Sequence, residues 1–110
     1  MATIAKVLIQ SKEAESAETT QYISTNCTTM IDKLTAMNKS GATAVITISL
    51  VASGGSASTA NKVVTVSILA GKTYTFPEIV GHSLDSGDFV STLAGTANAI
   101  NIRMSGRQIT

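Results

Sequence analysis

The chain has 110 residues, 44% of them hydrophobic and 14% charged, with a formal net charge of +1; this suits one domain with its own core and excludes a disordered chain of low hydrophobicity and high charge. A near-neutral chain carries no basic stripe for nucleic acid or an anionic membrane, so neither is an expected partner. Cys27 is the sole cysteine, which excludes an intramolecular disulfide and a cysteine-based metal cluster.

The predicted elements are short strands. Thr3 to Ile9 (TIAKVLI) is the first, followed by the polar SKEAESAET as a loop or weak helical turn, and Thr20 to Thr25 (TQYIST) resumes the strand pattern. Thr28 to Asn38 (TTMIDKLTAMN) reads two ways. Met30, Ile31, Leu34 and Met37 have helical spacing, and Thr29 with Asp32 resembles an N-terminal cap. The threonines, the Asn-Lys-Ser-Gly turn and the alternating stretch that follows favour a strand, as one arm of a hairpin with roughly equal arms. Ala42 to Val51 is the other arm, with Ala44, Ile46, Ile48 and Leu50 on one face and Val45, Thr47 and Ser49 on the opposite one.

ASGGSASTAN, Ala52 to Asn61, reads as an exposed flexible loop. Lys62 to Leu69 alternates again, and Ala70-Gly71-Lys72 turns the chain into Thr73 to Phe76, where Tyr74 and Phe76 share a face. Pro77 ends that strand or places it at an edge, since it has no amide hydrogen for a ladder. Glu78 to Phe89 (EIVGHSLDSGDF) is a connection anchored by Ile79, Val80 and Leu84. Phe89 to Leu93 and Ala99 to Met104 are the last strands, the latter with Ile100, Ile102 and Met104 inward and Ser105 to Thr110 as a candidate extension. The expected fold class is all-β: a single antiparallel β-sandwich or jelly-roll-like barrel of about seven to eight short strands. Residues 1–110 are taken as one β domain, with 1–25 an arm or edge strand able to dock on a neighbour.

Candidate chemistry concentrates around His82, the only histidine, with Glu78, Asp85 and Asp88 near it in sequence. A structural zinc site normally takes three or four His or Cys ligands, and one of each is too few. Asp85-Ser86-Gly87-Asp88 is only a fragment of a calcium loop. No G-x-S-x-G elbow accompanies His82. The tetrad is therefore read as a turn, with Asp85 and Asp88 bonding the backbone and Gly87 relaxing it.

Gly71-Lys72-Thr73 repeats the end of a phosphate-binding loop, but Val66 stands where the leading glycine is needed, and Tyr-Thr-Phe-Pro is a poor helix start. Gly54-Gly55 lacks the setting of a dinucleotide fingerprint. Arg103, Arg107, Lys33, Lys39, Lys62 and Lys72 are scattered, which suits solvated faces or intersubunit salt bridges. Asn26-Cys27-Thr28 and Asn38-Lys39-Ser40 match the glycosylation pattern, but MATIAKVLIQSKE lacks the basic-then-apolar order of a signal peptide, so no secretory route is expected. No apolar run reaches the roughly 18 residues of a membrane span. Neither catalytic residues nor cofactor or metal sites are expected, and the chain is read as non-enzymatic.

The succession ITISLVASGGSAS, ILAGKTYTFPEIVGHSLDSGDF and TANAINIRMSGRQIT resembles small β-sandwich structural proteins of tailed bacteriophages, of the head-decoration, neck and tail accessory types. The resemblance spans roughly Met30 to Thr110 and lies in turn grammar. It implies a multi-copy virion component, symmetrically arranged and homo-oligomeric, partnered by the major capsid protein or head-tail connector proteins. The host cytoplasm would hold it during assembly. A carbohydrate- or receptor-binding module of a tail or fibre is the alternative, motivated by the loops around Gly54-Gly55 and Gly81 to Asp88.

Overall fold

Valine, isoleucine and threonine fit a pleated, half-buried surface, because their branched β-carbons pack against cross-strand neighbours. In the computed structural model, which describes residues 2–110, these runs form β1 (Thr3–Glu13), β2 (Thr19–Ile23), β3 (Thr28–Asn38), β4 (Ala44–Val51), β5 (Lys62–Ile68), β6 (Thr73–Tyr74), β7 (Ser83–Leu84), β8 (Phe89–Ala94) and β9 (Ile100–Ile109). A single 3-10 turn, Thr59–Asn61, precedes β5. The strands make two antiparallel sheets, so the expected all-β sandwich is the observed fold. One sheet runs β1-β9-β3-β6, with β7 also on β3; the other runs β2-β8-β4-β5.

Between the sheets lie Ile31, Leu34 and Ala36 of β3, Ile100, Ile102 and Met104 of β9, Ile46 and Ile48 of β4, Val90 and Ala94 of β8, and Ile68 of β5. The inward alternation expected of Ile100, Ile102 and Met104 holds, and β9 continues through Ser105 to Ile109. Leu50 lies level with Val90 on the inward face but is only half-buried at the strand end.

Strand was the correct reading of Thr28–Asn38, and the structure explains its helix-like spacing. The register against β9 slips by one residue between Ile31 and Lys33. This bulge turns both Ile31 and Leu34 inward, three residues apart, while Met30 and Met37 stay half-buried.

The hairpin expected between this strand and Ala42–Val51 does not form. β3 belongs to one sheet and β4 to the other, so the Asn-Lys-Ser-Gly turn is a crossing between layers. Asn38, fully buried, holds that crossing. Its side-chain amide donates to the Ala42 and Ile68 carbonyls at 2.8 Å each, and its oxygen accepts from the Ser40 amide at 2.9 Å and hydroxyl at 2.7 Å. A buried polar side chain with every bond made fixes one chain path.

Three smaller differences concern the connections. β1 runs to Glu13, so the first part of SKEAESAET is strand. The Thr73 strand stops at Tyr74, because Phe76 takes φ 47°, a left-handed backbone rare for a bulky residue, and packs fully buried edge-to-face on Tyr74 at 4.8 Å between ring centroids. Ile79 and Leu84 anchor the following connection as expected, but Val80 does not: it is 46% exposed. The Ile31 carbonyl accepts from the Gly81 amide and the His82 carbonyl accepts from the Ile31 amide, tying this stretch to β3 by backbone.

Candidate functional site

The residues gathered around His82 in sequence take separate structural roles. Asp88 accepts from the Ser53 amide on Oδ1 and the Asp85 amide on Oδ2, both at 3.0 Å, while the Asp85 carbonyl accepts from the Asp88 amide at 2.9 Å. Gly87, at φ 94°, closes this turn, and a β-carbon there would overlap Ser53. Glu78 receives the Tyr74 hydroxyl at 2.8 and 2.7 Å, and this bond, with lesser burial and charge effects, raises the Tyr74 hydroxyl above its ordinary range. His82 is exposed and engages the chain through its backbone. Among the described residues no group of three or more His, Cys, Asp or Glu side chains is arranged to hold a metal ion.

Gly71-Lys72-Thr73 lies in the crossing from β5 to β6. Gly71, at φ 75°, gives its amide to the Asn38 carbonyl, and Lys72 gives its own to Leu69, so these amides serve the turn. Gly54 and Gly55 lie in the exposed Ala52–Asn61 stretch. Cys27 is buried, with Sγ 3.5 Å from Ser24 Oγ and 3.6 Å from Thr29 Oγ1. Burial works against its thiolate, but bonds from Ser24 and Thr29 outweigh that and hold the thiol below its ordinary value. Of the four aromatics, Phe76 is fully buried and Tyr22, Tyr74 and Phe89 are half-buried, so none stands as an open platform.

Charge divides the two sheets. β1 carries Lys6, Lys12 and Glu13, β3 carries Asp32 and Lys33, and β9 carries Arg103 and Arg107. Several pair within the chain. Arg107 grips Asp32 with Nε 3.0 Å and Nη2 2.9 Å from its oxygens, which raises the guanidinium further; Lys39 pairs with Glu13, and Lys12 with Glu15. In β2, β8, β4 and β5 the only charged residue is Lys62, at the first position of β5. The positions of this second sheet that point away from the core are instead Val45, Thr47, Ser49 and Val51 of β4 beside Leu93, Ser91 and Phe89 of β8; Thr47, Ser49, Val51 and Ser91 are buried within the chain, and of the seven only Val45 is exposed. Ser49 Oγ, buried there, has no hydrogen-bond partner.

Sequence reasoning read the low charge as suited to assembly but did not assign the absence of charge to one sheet. The signal was available: from Ala42 to Asn61 and again from Val63 to Gly71 the chain holds no Asp, Glu, Lys or Arg.

No family model matches the chain, and no curated protein matches it significantly. It is similar to a solved chain described under "Bacillus endospore appendages form a novel family of disulfide-linked pili", with TM-score 0.53 and 15% identity over 98% of this chain and 88% of that one. Likeness at this identity establishes a shared small all-β fold.

Proposed function

We propose that this chain is a non-enzymatic structural subunit of a multi-copy assembly, and more narrowly a tailed-phage virion protein that docks on the capsid or head-tail neck. The observation that carries the reading is the charge-poor sheet β2-β8-β4-β5 beside a charged one. What this side leaves in solvent is the β4–β5 margin, where Val45, Val63 and Leu69 are exposed and cost little to desolvate, while the lysines and arginines of the other sheet keep the subunit in solution before assembly. The turn grammar from roughly Met30 to Thr110 supports the narrower placement, with the major capsid protein or a connector protein as partner.

A second reading, an appendage subunit, is favoured by the similarity to a pilus structure. That pilus is described as disulfide-linked. One cysteine per chain can join at most two copies, and Cys27 is buried. An appendage built from this chain would therefore be held by non-covalent contacts.

Mass spectrometry and single-particle imaging of purified virions separate the two. Stoichiometric copies with density on the capsid or neck support the first reading. Absence from virions sinks it, and recovery in sheared surface filaments selects the second.

A further inference from the structure

Each sheet ends in strands whose outer backbone groups lack a neighbour, and natural sandwiches guard such edges with charge, bulges or brevity. β1 carries Lys6, Lys12 and Glu13 and two register shifts against β9. β2 has five residues and a shift against β8, and β6 and β7 have two residues each. β5 is different. Its one register shift lies at its start, beside Lys62, and from Val64 to Ile68 it pairs regularly with β4 and carries no charge.

The ladder fixes which groups are free. The Val45 carbonyl accepts from the Gly95 amide at 2.8 Å, so the odd-numbered residues of β4 address β8 and the even-numbered ones address β5. Val64, Val66 and Ile68 lie opposite Ile48, Ile46 and Ala44 and bond to them. The amides and carbonyls of Thr65 and Ser67 therefore point away from the sheet.

Around Val66 the sequence is nearly a palindrome in residue type: Val63 mirrors Leu69, Val64 mirrors Ile68, and Thr65 mirrors Ser67. Two of these are among the large apolar residues left in solvent, Val63 at 36% and Leu69 at 61% exposed, and Val45, on the neighbouring strand opposite Ser67, is 38% exposed. We infer that β5 pairs antiparallel with β5 of a second copy of this chain, centred on Val66, to make one continuous eight-stranded sheet.

In this register Thr65 lies opposite Ser67 of the second copy and exchanges both backbone bonds with it, and the reciprocal pair does the same. The palindrome places Val64 against Ile68 and Val66 against its own copy on the inward face, completing the half-buried valines at the sandwich rim. Val63 and Leu69 cover one another. The two Lys62 side chains fall at opposite ends, so no like charges meet. The pairing is isologous and closes on itself, as a two-fold contact must. It goes beyond the proposed function and does not depend on it, because purified chain is enough to form it.

Sedimentation equilibrium of the full chain should give twice its 11.3 kDa mass. Thr65→Pro removes an amide that serves only the second copy, at an edge position where proline is tolerated; it should give the single-chain mass with unchanged far-UV circular dichroism. Val66→Cys, on a Cys27→Ser background, places two thiols across a closely spaced pair with Cα atoms roughly 4.5 Å apart, within disulfide reach. Mild oxidation should convert it to a covalent dimer. A single-chain mass at every concentration overturns the inference, as does a dimer that survives folded Thr65→Pro or a Val66→Cys chain that does not cross-link. If Thr65→Pro does not fold, the cross-link decides alone.

Discussion

At the scale of single residues, the groups that drew attention as chemistry are turn parts, and the most constrained position is a glycine. Gly106 lies in β9 between β1 and β3, and both neighbours bulge beside it: the β1 register slips between Val7 and Ile9, and the β3 register between Ile31 and Lys33. A β-carbon at Gly106 would overlap the Met30 carbonyl oxygen and press on Leu8. Because backbone cannot move aside as a side-chain tip can, Gly106→Ala should lose about 3 kcal/mol or more in urea unfolding. His82→Ala should be nearly neutral by the same measurement, whereas Leu84→Asp buries an unpaired charge and should cost about 3–5 kcal/mol. The opposite ranking would return a role to the histidine.

Tyr74 gives a pH test of the loop geometry. Its folded hydroxyl is raised by the bond to Glu78. The stabilisation is therefore complete below the ordinary value of 10.0 and lost as pH rises through the raised one. In a Tyr22→Phe background, the ultraviolet titration of Tyr74 should move to lower pH when Glu78 becomes Ala. An unmoved curve would show that the pair does not form in solution.

At the scale of elements, the crossing after β3 shows how one side chain can select a topology. The turn Asn-Lys-Ser-Gly is suited to a hairpin, and nothing local forbids one. Asn38 instead gathers Ser40, Ala42 and Ile68 and hands the chain to the opposite sheet. Among the described strands, β4 and β5 are the only consecutive pair that are hydrogen-bonded to each other. Asn38→Ala would take from the buried Ile68 carbonyl its bond to the side-chain amide, at about 1–3 kcal/mol. Differential scanning calorimetry should register that loss; a loss under about 0.5 kcal/mol would mean that packing alone holds the crossing. The bulge in β3 acts similarly, since it shifts the phase of burial and lets a strand imitate helical spacing.

At the scale of the molecule, strand charge is gathered on one sheet, and the single thiol limits what can hold copies together. Cys27 is buried among Ser24 and Thr29. It should react slowly with an aromatic disulfide reagent when folded and at least tenfold faster in denaturant, despite its lowered thiol value. Non-reducing electrophoresis of the natural chain should show single-chain mass. Rapid labelling of the folded protein, or a covalent ladder, would reopen disulfide assembly.

Strand existence was legible in the sequence, because alternation of valine, isoleucine and threonine with polar residues follows directly from the two-residue period of a strand. The all-β class followed from that alternation, and so did the inward set Ile100, Ile102 and Met104. The positive-φ turns at Gly71 and Gly87 were legible for the same local reason, glycine's freedom from a β-carbon. What tertiary structure alone decided was pairing. Partner choice rests on contacts between residues far apart in the chain: Asn38 with Ile68, Gly106 with Met30, Ile31 with His82. The same is true of the open edge at β5. Its residues are visible in the sequence, but that Thr65 and Ser67 turn their backbone groups outward depends on which strands β4 bonds on each side, and local pattern carries no record of that.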